Sequence, residues 1–181
     1  MKKESLTIAI LLAVIVSTST IKAQMYEQPI LISSAGQSAD VKLVKMLAQR
    51  QQLEANTVLM AKASDLEGIK TLLIVPGFSS KGLGAAGVSQ QEEYDRVEAL
   101  IKVAKDLKIP IITVHIGGNV RRKGQSDAFN TLIADNSKGM IVVRQADEDG
   151  FFSDLAKKNN IPLTLVDKIV EVGEPMGNLF K

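Results

Sequence analysis

The sequence contains no cysteine and no tryptophan, a single histidine, and aromatic residues at only 4% of its 181 positions. Without cysteine there is no disulfide framework, no thiol nucleophile and no thiolate-bound metal. With His115 as the lone imidazole, a metal site built from several histidines is excluded. Charge of one sign is also missing. The 22 basic and 20 acidic residues include three and one, respectively, before Gln24 (Lys2, Lys3, Lys22 and Glu4), which leaves 19 of each beyond it. A chain balanced in this way lacks the basic footprint that nucleic acid requires.

What is present begins with a targeting signal. Lys2 and Lys3 precede an apolar run from Leu6 to Val16, followed by STST and Ile21-Lys22-Ala23. A basic start, a short apolar core and a small residue before a cut describe a secretory signal peptide. The run is too short for a bilayer, which takes about 20 residues. An uncleaved anchor extended by the STST run is the alternative. Residues 1–23 are therefore expected to be removed, leaving residues 24–181 as one periplasmic or secreted domain with no stable membrane span.

That remainder alternates short aliphatic runs with helical patterns. PILISS (29–34), NTVLMA (56–61), TLLIVPG (71–77), PIITVHI (110–116), GMIVVRQ (139–145) and PLTLVD (162–167) read as strands. They are continuously apolar, as in a parallel sheet covered on both faces. Val41, Val44, Leu47 and Ala48 have helical spacing, as do Tyr94, Val97, Leu100, Ile101, Ala104 and Leu107. SQQE at 89–92 is a capping box that starts the second of these helices. KASDLEGIK leaves room for a short crossover helix. The expectation is a doubly wound three-layer α/β sandwich with a mostly parallel sheet of five or six strands, in the flavodoxin-like order 2-1-3-4-5.

Ligands of such sheets bind beyond the carboxyl ends of the strands, where strand order reverses. Under the expected order this crevice lies between the first and third strands, at SSAGQS (33–38) and GFSSKGLGAAGVS (77–89). Ser34, Gly36, Gln37 and Ser38 offer polar and backbone donors under a positive helix end. Ser79, Ser80, Lys81 and Gly82 offer hydroxyls, a cation and close backbone approach. Ser38 and Asp40 can equally just cap the helix.

The loop HIGGNVRRKGQSD (115–127) adds His115, Gly117, Gly118, Arg121, Arg122 and Ser126 to the candidates. His115 ends a central strand, where an imidazole can serve as general base or ligand donor, or simply as a satisfied structural residue. Arg121, Arg122 and Lys123 can clamp an anion. They can also pair with Asp147, Glu148 and Asp149 on the next loop. That acidic triplet lacks the spacing of an EF-hand cation loop.

Other motifs fall away on inspection. Gly82, Gly84 and Gly87 match GxGxxG, but begin several residues after the strand, and no acid ends the next strand to hold a ribose. Ser-Lys-Gly is the wrong order for a phosphate-binding P-loop. No GxSxG elbow is present. DLEGIKTLLIVPG resembles amidotransferase-like folds, whose nucleophilic cysteine is missing here. No cofactor or metal is expected.

ILISSAGQSADVKLVKML, SSKGLGAAG, HIGGNVRRKGQSD, DEDGFF and IPLTLVDKI together resemble domain of unknown function 6305, a family of small exported bacterial proteins. The resemblance covers nearly all of the chain after the signal and implies no activity. The functional expectation is an exported protein that binds a small anionic or polar molecule without turning it over. The alternatives are an extracytoplasmic hydrolase or transferase using His115 with Ser33, Ser34 or Ser79, and a protein-interaction module of the cell envelope.

Overall fold

The computed structural model describes residues 25–180. The expected signal peptide lies outside them. Six strands form one all-parallel sheet in the order 2-1-3-4-5-6. They are β1 (Ile30–Ala35), β2 (Ala55–Thr57), β3 (Thr71–Pro76), β4 (Ile111–His115), β5 (Gly139–Val143) and β6 (Leu163–Val166). Every residue of β1, β3, β4 and β5 is buried, because helices cover both faces and leave no solvated side for polar alternation.

One face of the sheet presents Ile30, Ile32, Leu73, Val75, Ile112 and Val114. Against it pack Val41, Val44 and Leu47 of α1 (Asp40–Arg50) and Met176 of α6 (Gly173–Asn178). The opposite face presents Leu31, Leu72, Ile74 and Ile111 to α3 (Gln90–Asp106) and α4 (Gln125–Ala134). Beside these, Met140 and Val142 of β5 meet Phe152 of α5 (Phe151–Asn159). The expected three-layer sandwich and strand order are those observed, with β6 as the sixth, edge strand. Among the described residues no helix is long and apolar enough to cross a membrane.

Three local readings change. KASDLEGIK holds only a 3-10 turn, Ala63–Leu66, whose Leu66 is buried against the α3 side. NTVLMA is a strand only as far as Thr57. Bonds from Val58 N to Ile32 O and from Ser34 N to Leu59 O still carry the chain along β1, and Leu59 and Met60 then reach the surface cleft at the strand ends. The stretch 77–89 contains the helix α2 (Ser80–Ala86). Ser79 Oγ caps it by accepting from Gly82 N at 3.1 Å, and Gly87, at φ 69°, closes its other end. Two interior glycines, each unfavourable in a helix by about 1 kcal/mol, mask this helix in the sequence. Gly82 is needed because a Cβ there would collide with Gln37 O.

Candidate functional site

The β1 and β3 loops face one another, as the strand order requires, but they are zipped rather than parted. Gly77 N donates to Ala35 O and Ser79 N to Gly36 O, both at 2.8 Å, and Gln37 forms an antiparallel bridge with Phe78. A side chain at Gly36 (φ 94°) would lie 2.7 Å from Gly77 O, so glycine is what permits this approach. The open space lies beside the zipped loops. It is a cleft of about 690 Å³ between the start of α1, one face of α2 and the segment after β2.

Six of the residues singled out in the sequence line this cleft: Gln37, Ser38, Ser79, Lys81, Gly82 and Arg121. Sequence reasoning missed the others, Ala39, Lys42, Leu59, Met60, Ala85 and Ala86. Ser38 Oγ accepts from Asp40 N at 3.2 Å. Gln37 is buried, and its Nε2 has no partner among the described residues.

Arg121 and Arg122 are adjacent yet serve different places. Arg121 Nη1 donates to Phe78 O at 2.8 Å, and its Nε lies 3.6 Å from Asp40 Oδ2, a charge contact too long for a hydrogen bond. Its side chain passes where Gly117 has no Cβ, since a methyl there would overlap Arg121 Cγ. Arg122 turns toward the acidic loop. Its side chain is 4% exposed, pairs with Asp127 and Asp149 at 2.9 Å each, donates to Ala146 O and lies 4.0 Å over the Phe151 ring. The Arg122 hydrogen bonds hold Asp149 down at a pKa of about 2. Asp147 caps α5, accepting from Phe152 N at 2.7 Å and Ser153 N at 3.0 Å.

His115 is fully buried at the end of β4, with its ring 4.8 Å from that of Phe152. Nε2 lies 3.1 Å from Arg121 O. A carbonyl can only accept, so the proton resides on Nε2, and Nδ1 is left without a partner. Burial is the main influence on this imidazole and lowers its pKa. Asn130 Nδ2 donates to the same carbonyl at 3.0 Å. Together they fix the backbone from which Arg121 reaches the cleft.

The remaining candidates support the loops. Ser126 Oγ accepts from Phe78 N, and Gly118, at φ 54°, leaves room for Gln145. Ser80 is exposed at the start of α2, and Ser34 Oγ is buried without a partner. Ser33 Oγ donates to Leu59 O and accepts from Ala61 N.

A buried ion pair holds this end of the sheet from beneath. Glu93, with no exposed surface, receives Arg96 on both carboxylate oxygens at 2.8 Å and Gly36 N at 2.9 Å. Arg96 also donates to Ala61 O and Ser34 O at 2.7 Å. The signal was in the helical pattern: Glu93 stands in phase with Val97, Leu100 and Ala104, so a carboxylate occupies the buried stripe of α3.

A second cleft, of about 650 Å³, lies at the opposite pole beside the starts of β4 and β5. Of its lining groups, Asp135 pairs with Lys158 at 2.9 Å and Lys105 with Asn136 at 2.7 Å.

Two solved structures show partial likeness. A GDSL-like lipase from Bacteroides thetaiotaomicron superposes with a TM-score of 0.36 at 12% identity, over 75% of this chain and 66% of the lipase, just under two thirds of its length. An SGNH-hydrolase family esterase superposes with a TM-score of 0.29 at 13% identity, over 87% of this chain and 85% of the esterase. Likenesses this slight transfer no residue's role. No curated protein sequence matches the chain. The sequence profile of a domain of unknown function, DUF6305, matches residues 27–180, which take in every strand, helix and cleft residue described above, and the chain belongs to that family.

Proposed function

We propose that the protein is exported and binds a small anionic molecule in the cleft beside the β1 and β3 loops, without turning it over. The observation that carries this reading is the charge of the lining: Lys42, Lys81 and Arg121 border one concave site, and Asp40 beside Arg121 is the nearby carboxylate. About 690 Å³ is within the usual range of small-molecule sites, roughly 300–1,000 Å³. Ser38 and Ser79 add hydroxyls to the same lining. Against the hydrolase alternative, His115 spends Nε2 on Arg121 O and is enclosed beside Phe152, and both cleft hydroxyls accept from backbone N–H groups. A general base must lie within hydrogen-bond reach of the proton it takes.

Native mass spectrometry of the protein as purified tests the proposal. The expected result is a retained small molecule that Arg121→Gln loses. A protein that carries none and gains none from a panel of carboxylates, phosphates and sulfonates overturns it.

A further inference from the structure

The cleft is not uniform along its length. One face of α2 borders it through Lys81, Gly82, Ala85 and Ala86, positions that share a helical face. The cation stands on the first turn and the two methyl groups on the last. The same lining includes Leu59, which is 41% exposed, and Met60. A free inorganic anion would use the cations and leave these apolar groups in water. A purely apolar molecule would strip water from Lys81 and Arg121 without supplying a counter-charge.

We infer that the ligand is an amphiphile, an anionic head group carrying a short apolar chain. Its head lies among Gln37, Ser38, Lys81 and Arg121, and its chain runs along Ala85 and Ala86 against Leu59 and Met60. This inference rests on the anion-binding reading and adds the chain to it. From Lys81 to Ala86 the helix rises about 7.5 Å, which fits a chain of roughly six carbons.

Isothermal titration of the full chain tests it, with acetate, butanoate, hexanoate, 1-hexanol, inorganic phosphate and hexyl phosphate as titrants. Affinity is expected to rise about fourfold per buried methylene from acetate to hexanoate. Hexanol and inorganic phosphate should bind at least tenfold more weakly than hexanoate, and inorganic phosphate at least tenfold more weakly than hexyl phosphate. Ala85→Asp, an exposed substitution at the apolar end, should weaken hexanoate at least tenfold and leave acetate unchanged. Acetate or phosphate matching hexanoate overturns the amphiphile but keeps the anion site. Hexanol matching hexanoate overturns the charged head, and inorganic phosphate matching hexyl phosphate overturns the chain. An Ala85→Asp variant that binds hexanoate normally removes the chain from this wall. If none of the anions binds, the anion-binding reading fails together with the inference.

Discussion

His115 Nε2 donates to the carbonyl oxygen of Arg121 at 3.1 Å, so the buried imidazole holds the backbone of the one arginine that reaches the cleft. Its effect on a ligand is therefore indirect. His115→Ala removes a buried hydrogen bond and the packing on Phe152, and a loss of about 2–4 kcal/mol in urea unfolding is expected. His115→Gln keeps an N–H donor for the carbonyl. It should recover most of the ligand affinity that the alanine variant loses, a rescue that a directly reacting imidazole would not show.

The same burial gives a pH dependence. The imidazole's pKa is lowered in the folded protein, so below the ordinary value of 6.5 the unfolded chain binds a proton that the folded chain refuses. Stability should be steady above that value and fall as pH drops through and below it. His115→Gln should flatten this slope in denaturation curves taken between about pH 5 and 8. A separate contribution, from a carboxylate, is lost only in strong acid, as pH falls from Asp149's ordinary 3.8 toward its folded value of about 2.

The two arginines should separate binding from stability. Arg121→Gln is expected to weaken a bound anion by about 1.5–3 kcal/mol and, by releasing Phe78 O and Asp40, to cost only about 1 kcal/mol of stability. Arg122→Gln breaks contacts with Asp127, Asp149 and Ala146 O and the stacking on Phe151, and should cost about 2 kcal/mol of stability while binding stays intact. Ligand titrations and melts on both variants check this. The reverse assignment would place the anion on the acidic-loop side.

Glu93 and Arg96 should behave as a unit. Glu93→Gln leaves the Arg96 guanidinium, whose side chain is 10% exposed, without its counter-charge. A destabilisation of about 3–5 kcal/mol is expected. Glu93→Met with Arg96→Met should cost less than Glu93→Gln alone, though Gly36 N then lacks its acceptor. Chemical denaturation of the single and double variants measures the difference.

Two glycines make opposite predictions. Gly117→Ala puts a methyl into Arg121 Cγ and should weaken both folding and anion binding. Gly84→Ala, within α2 with nothing near its added Cβ, should stabilise by about 0.5–1 kcal/mol without affecting binding. Melting temperatures and affinities of the pair show whether the space at Gly117 serves the arginine.

The sheet order was legible because strands buried on both faces are written as unbroken aliphatic runs, such as Leu72 to Val75. The cleft was legible only in part. Gly82 and Gly84 read as loop, and the helix they belong to is recognised once Ser79 and Gly87 are seen as its caps. Leu59 and Met60 share the composition of a strand, and nothing local tells that the regular strand ends at Thr57. Arg121 closes a 3-10 turn and Arg122 is extended at φ −125°, which sends neighbouring side chains in different directions. No pattern in RRK separates them. Glu93 was readable from its phase on α3, although its partners on β1 and after β2 come from the fold alone.

The central claim is that anions bind beside the β1 and β3 loops. Titrating isotope-labelled protein with hexanoate, while following every assigned backbone amide by NMR, tests it most directly. The account predicts saturable shifts concentrated at Gln37 to Lys42, Leu59 and Met60, and Ser79 to Ala86, all reduced together in Arg121→Gln. Shifts confined to Lys105, Lys108 and Lys138 at the opposite pole, or no saturable shifts at all, would contradict it.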